Sequence, residues 1–243
     1  MKRILLTNDD GINAPSLNYL YETLKDLGEV YVCAANEDRS AASHSFTLRK
    51  PIEICELKKN WYSVSGTPTD AVLLAYHALL NKKIDILISG INDSPNLGED
   101  VLYSGTVACA IEGTILGIPS FAISFVENNK NLEIALKLVY NLTKNILRYG
   151  LPKKTFLNIN IPNKEIKGIK ITKLGKRIYK DMALPVPNKK MCYLIDGEMS
   201  FVDIKGSDFN AVENGYISIT PLHLDMTNYK VIKKLQKRFK KII

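Results

Sequence analysis

The chain has 243 residues, 46% of them hydrophobic, and a formal net charge of +8. That is normal for a globular protein able to bury a full core, either as one large domain or as one domain with a smaller appendage. The longest apolar runs, such as "AVLLAYHALL", fall short of a membrane span, and "MKRILLTNDD" leaves only Ile4 to Thr7 before the carboxylates, too little for a signal-peptide core.

Cys33, Cys55, Cys109 and Cys192 are widely spaced and form no C-x-x-C pair. They read as core or strand residues of a reducing compartment. The expectation is a soluble cytoplasmic protein that makes no membrane contact.

In chain order, "RILLT" reads as a short buried strand. "LNYLYETLKDLG" sets Leu17, Leu20, Leu24 and Leu27 at helical spacing and stops at Gly28. "EVYVCAA" is the next strand, and after a polar loop "WYSVS" leads through "GTPTD" into the helix "DAVLLAYHALL", with Thr69 or Asp70 expected as its cap. "IDILISG" is a buried strand, "TVACAIEGTILG" a helix, "SFAIS" a strand, "LEIALKLVYNLTKNIL" a helix with one apolar face and "TFLNINIP" a strand.

Strands alternating with helices of this length predict an open, mostly parallel sheet covered on both sides, a Rossmann-like doubly wound α/β domain over residues 1–162. Beyond Pro162 the rhythm changes to short strand-like runs, "GIKITKLG", "MCYLIDG" and "GYISITPL". Residues 163–243 read as a β-rich extension ending in a basic helix.

That last segment, "VIKKLQKRFKKII", carries Lys233, Lys234, Lys237, Arg238, Lys240 and Lys241. Its charge invites a polyanion partner, nucleic acid or acidic lipid. Val231, Leu235 and Phe239 recur every four residues, however, which favours a helix docked on one side and solvated on the other.

Ligands of a parallel sheet gather beyond the carboxyl ends of its strands. Four loops with chemistry lie there: one with Asn8, Asp9 and Asp10, one with Ser40, one with Asn92 and Asn96, and the helix entrance Ser104–Thr106. Adjacent aspartates can aim at one object only where a strand ends and turns, as Gly11 allows. A divalent cation keeps two close carboxylates ionised, and two carboxylates with an amide and a hydroxyl suit a hard ion such as Mg²⁺ or Mn²⁺. The simpler alternative is that the pair stabilises the positive end of the helix starting near Ser16.

"SGT" entering a helix offers backbone N–H groups and hydroxyls to a phosphate. His44, four residues past Ser40, is a candidate accessory group for protonating a leaving oxygen or contacting phosphate. No dinucleotide or P-loop fingerprint is present in the sequence.

Together the stretches "LLTNDDGINAP", "DRSAASHSFTL", "GTPTDAV", "ISGINDSPNLGEDVLYSGTVACAIEG" and "GSDFNAVENGYISITPLHLDMT" resemble the SurE survival protein family. The resemblance implies a metal-dependent phosphatase of nucleoside 5′-monophosphates, with 3′-monophosphates and short polyphosphate as further substrates. It implies one divalent ion per subunit, held by Asp9, Asp10, Ser40 and Asn92. Asn96, Ser104, Gly105 and Thr106 match the phosphate site, and the aspartates are the expected catalytic groups, steering or accepting the proton of a metal-activated water. It also implies homodimers formed by exchange of C-terminal elements, often paired into tetramers.

Ala35, Asn36 and Ala41 depart from the usual Pro, Asp and Gly, and Ser94 replaces a usual Gly, so altered loop shape is expected near Ser40 and Asn92. Three rivals compete with the metal-dependent phosphatase reading. A receiver-like signalling domain would need a phosphorylatable Asp where "IDILISG" runs instead into Asn92, and an aspartyl-phosphate phosphatase would place its acids two apart rather than side by side. A nucleic-acid-binding role rests on the basic tail alone.

Overall fold

A computed structural model describes residues 1–126, 130–180, 183–196 and 198–240; Lys241 of the basic tail, and Asp181, Met182 and Gly197 of the late hairpin region, lie outside the described residues. Strand β1 (Arg3–Thr7) carries Ile4, Leu5 and Leu6 with no exposed surface on either side. A strand covered by helices on both faces requires such an unbroken apolar run.

The strands that follow are β2 (Glu29–Ala35), β3 (Ile54–Lys58), β4 (Trp61–Val64), β5 (Ile86–Asn92), β6 (Ser120–Phe125), β7 (Thr155–Ile161) and β8 (Gly168–Ile171). After them come β9 (Lys176–Lys180), β10 (Ala183–Pro185), β11 (Tyr193–Ile195), β12 (Glu198–Val202) and β13 (Tyr216–His223). Nine of them form one sheet in the order β3-β4-β2-β1-β5-β6-β7-β13-β8. From β4 to β7 every pairing is parallel, with Leu5 opposite Leu87 and Ile88 opposite Phe121.

Four helices cover the sheet: α1 (Pro15–Leu24), α2 (Pro68–Leu74), α3 (Gly105–Ile115) and α4 (Leu132–Tyr149). Leu17, Leu20 and Leu24 of α1 join Ala135, Val139 and Ile146 of α4 against one face. Burial of each such leucine contributes about 1.5–3 kcal/mol. Ala71, Val72 and Cys109, from α2 and α3, pack on the opposite face.

The cap of α2 differs from expectation. Thr67, not Thr69 or Asp70, is the N-cap: its hydroxyl accepts from Asp70 N at 3.1 Å while Asp70 Oδ2 accepts from Thr67 N at 2.8 Å. Pro68 occupies the first helical position, where a missing N–H costs nothing. Thr69 is therefore already inside the helix and fully buried.

Two strands of the C-terminal region complete the central sheet. β13 runs antiparallel to β7, with Ile219 opposite Ile159, and parallel to β8. The sheet thus crosses residue 162. A short helix α5 (Asp208–Glu213) precedes β13. Between β8 and α5 an arm of two antiparallel ladders, β9 with β12 and β10 with β11, stands outside the sheet.

The terminal helix α6 (Tyr229–Phe239) forms as its periodicity predicts but has no buried residue, so the expected docking face is open within the protomer. Val231, Leu235 and Phe239 are all exposed. Among the described residues no helix is long and apolar enough to cross a membrane.

The sheet order places β1 between β2 and β5, so the chain leaves β1 toward one edge and later returns to its other side. Such a switch point opens a crevice at the carboxyl ends of the two strands. Asp9 and Asp10 follow β1, and Asn92 ends β5.

Candidate active site

Two loops, those after β1 and β2, are tied together by their backbones. Gly11 turns the chain at φ +94°, and a Cβ there would lie 2.9 Å from the carbonyl carbon of Glu37. That close approach lets Arg39 N donate to Asp9 O at 2.8 Å and Ile12 N to Ala35 O at 2.8 Å. Asn8 closes the turn through Nδ2 to Gly11 O at 3.1 Å.

Asp9, Asp10, Ser40, Asn92, Asn96 and Ser104 all line one cavity of about 610 Å³. Asp9 is only 4% exposed. Burial raises its pKa, and a hydrogen bond from the Thr106 hydroxyl to Asp9 Oδ1 partly opposes the rise. Asp10 is pushed up to about 7, first by burial and then by the neighbouring charges of Asp9, Asp93 and Asp38.

Ser40 Oγ donates to Asp38 Oδ1 at 2.6 Å and Ser40 N to the same oxygen at 2.7 Å, and these bonds hold the Asp38 carboxyl below its usual range. With its proton committed, the serine hydroxyl keeps its lone pairs for another partner. Asn92 Nδ2 donates to Ser94 O at 2.7 Å, which directs the amide oxygen elsewhere.

The charge of the cavity tests the fit to a cation. Asp9, Asp10, Asp93, Asp100 and Asp196 line it, whereas the basic lining residue is Arg177, already paired with Asp100. A phosphate ester would be repelled from such a surface unless a cation neutralised it. Among the described residues no three His, Cys, Asp or Glu side chains gather as a metal cluster. The converging set instead has two carboxylates, a hydroxyl and an amide, oxygen donors that fit a hard divalent ion.

Beside these oxygens lies the N-terminus of α3. Ser104 is its N-cap, with Oγ accepting from Val107 N at 3.0 Å. Gly105 and Thr106 do not line the cavity. They stand behind Asp9: the Thr106 hydroxyl is spent on its carboxylate, and a Cβ on Gly105 would lie 2.7 Å from Asp9 Cβ. His44 is also elsewhere, its Nε2 lying 2.8 Å from Glu112 Oε2 on α3, so it joins the Ser40 loop to that helix and lines no part of the cavity.

Asn96 is fixed by side chains that sequence reasoning passed over. Its N–H donates to Asn160 Oδ1 at 2.9 Å, its Nδ2 to Ser124 Oγ at 2.8 Å, and its carbonyl accepts from Asn158 and Asn160. The available signal was two asparagines at alternate positions of a buried strand, where apolar residues are the rule. Asp208, likewise unassigned, accepts from Gly98 N at 2.8 Å and from Gly175 N at 2.7 Å, joining the Asn96 loop to the root of the arm.

The family model described as "Survival protein SurE" matches residues 4–181. The chain belongs to the SurE family. It is 46% identical to the 5′-nucleotidase SurE of Aquifex aeolicus (strain VF5), covering 97% of this chain and 98% of the relative, and 45% identical to the 5′-nucleotidase SurE of Geotalea uraniireducens (strain Rf4), again over 97% and 98%. The crystal structure of the SurE protein from Aquifex aeolicus superposes with a TM-score of 0.86 at 44% identity, covering 97% of this chain and 99% of that one.

Two departures from the SurE pattern now have a structural account. Ala41, where the family resemblance puts glycine, takes φ +58°, a left-handed conformation unfavourable to any residue with a Cβ. Ser94 is absent from the positive-φ residues and uses its carbonyl to hold Asn92. Its replacement of glycine therefore brings no backbone strain.

Proposed function

We propose that the chain is a metal-dependent phosphomonoesterase of the 5′-nucleotidase type, with nucleoside 5′-monophosphates as its principal substrates. The observation that carries this reading is the meeting, in one cavity at the β1/β5 switch point, of the adjacent carboxylates of buried Asp9 and half-buried Asp10, a hydroxyl, an amide and a helix N-terminus. Asp9, Asp10, Ser40 and Asn92 would hold one divalent ion, Mg²⁺ or Mn²⁺. When bound, such an ion supplies charge neutralisation and Lewis acidity at the phosphoryl group.

The chain's own groups do the rest. The Ser104 hydroxyl at the α3 N-terminus and the second Nδ2 hydrogen of Asn96 donate to phosphoryl oxygens, positioning the group for in-line displacement. Asp10, less buried than Asp9, accepts the proton of the attacking water. Thr106 orients Asp9, and Asp38 orients Ser40.

Action on 3′-monophosphates and short polyphosphate belongs to the same proposal. So does assembly as a homodimer, or a pair of dimers, through the open apolar face of α6. A cytoplasmic location agrees with the free state of all four cysteines. The receiver-like alternative lacks support because β5 ends in Gly90, Ile91 and Asn92, so that an amide and not a carboxylate holds its last position. The exposed cations of α6 are the only basis for a nucleic-acid reading.

The test is phosphate release from nucleoside 5′- and 3′-monophosphates after chelator treatment, with Mg²⁺ or Mn²⁺ restored, for wild type beside Asp9→Asn. Hydrolysis restored by metal and lost in the variant is the expected result. An active, folded Asp9→Asn enzyme would overturn the ligand assignment.

A further inference from the structure

The cavity is larger than its chemistry needs. A phosphoryl group and its ion displace only a few water volumes of about 30 Å³ each, whereas the space is about 610 Å³. Its remaining wall comes from the arm outside the sheet: Arg177 and Tyr179 of β9, Ile195 of β11 and the adjoining Asp196.

Asp100 joins the two ends of the cavity. Its backbone carbonyl accepts from Ser104 N at 3.1 Å, within the cap of α3. Its carboxylate pairs with the Arg177 guanidinium and accepts from the Tyr179 hydroxyl at 3.1 Å. The guanidinium in turn lies 4.2 Å from the centre of the Tyr179 ring. Arg177 N also donates to Glu99 Oε2 at 2.8 Å, fastening β9 to the same turn.

The ring is thus held at three points, by its hydroxyl, by the cation on one face and by the strand beneath it. Tyr179 nevertheless remains 39% exposed and lines the cavity, with the apolar side chain of Ile195 lining the same wall. A fixed aromatic surface with little conformational freedom to lose is suited to stacking a planar heterocycle.

Resting on the phosphatase reading above, we propose that Tyr179, set by Asp100 and Arg177, is the platform on which the base of the nucleotide stacks, and that the arm therefore determines selectivity for nucleotides over simpler phosphate esters. The ester end is bound at Ser104, and the base end at Tyr179, with Asp100 fixing both.

The experiment compares adenosine 5′-monophosphate with ribose 5-phosphate, which has the same ester but no base, on metal-loaded full-length protein. Hydrolysis kinetics and calorimetric binding are measured for wild type, Tyr179→Ala and Tyr179→Phe. The expected result is that Tyr179→Ala raises KM for the nucleotide about 5- to 100-fold, with kcat/KM for ribose 5-phosphate unchanged and Tyr179→Phe retaining nucleotide selectivity. Equal losses on both substrates, or none on either, would overturn the platform. Hydrolysis of neither substrate by wild type, with nucleotide binding that still depends on Tyr179, would uphold the platform and overturn the phosphatase reading instead.

Discussion

Gly105 lies so close to Asp9 that an added Cβ would sit 2.7 Å from Asp9 Cβ and 2.9 Å from Asp9 Oδ2. The neighbouring atoms belong to a side chain that is buried and held by Thr106, so it has little room to give. Gly105→Ala is expected to destabilise the fold by about 1–3 kcal/mol through overpacking. It should also lower kcat about 100-fold, since a 1 Å displacement of a catalytic group has that scale of effect. Denaturant melts and phosphate release measure the two losses.

In the proposed site, Asp10 couples metal affinity to pH. Burial and the neighbouring carboxylates push its pKa up to about 7, and a bound cation would compete with the proton. Below that value the Kd for Mg²⁺ should fall about tenfold per pH unit of increase, levelling off above it. Calorimetric titration between pH 5.5 and 8.5, in buffers of different protonation enthalpy, should find about one proton released per ion at acid pH. A Kd that does not change over that range would contradict the burial and charge environment given to Asp10.

Ala41 holds φ +58° beside Ser40. Left-handed backbone costs an L-residue about 1–2 kcal/mol, part of which glycine returns through its freer unfolded chain. Ala41→Gly should therefore raise stability by about 0.5–1 kcal/mol, read as an increase in Tm.

Asp208 accepts from Gly98, Gly175 and Phe209 with no exposed surface of its own. Asp208→Ala leaves those amides without their acceptor, at a cost of about 3 kcal/mol. The Asn96 loop and the arm root would loosen together. Hydrogen exchange should report faster exchange at both Gly98 and Gly175; a change confined to α5 would show that the carboxylate does not join them.

Local pattern carried the sequence reading far. Leu17, Leu20 and Leu24 announce a helix, and the unbroken run of β1 a covered strand, because periodicity and burial are properties of neighbouring residues. The parallel sheet then confined chemistry to the strand ends, which brought Asp9, Asp10 and Asn92 forward. The cap of α2 was misplaced because Thr67 and Thr69 look alike in sequence, and only the turn geometry selects the hydroxyl that reaches Asp70 N.

By itself, then, the sequence determined the main elements of the α/β core, its class, the SurE likeness and the oxygen-bearing residues proposed as cation ligands. The tertiary structure alone decided that Thr106 serves Asp9 rather than the cavity, that His44 meets Glu112, and that Arg177 and Tyr179 reach Asp100 across more than seventy positions of chain. Those contacts depend on sheet order and on where an arm folds back. Neither leaves a periodic trace in the residues that make the contact, because sequence spacing encodes which face a side chain takes and not which distant face it will meet.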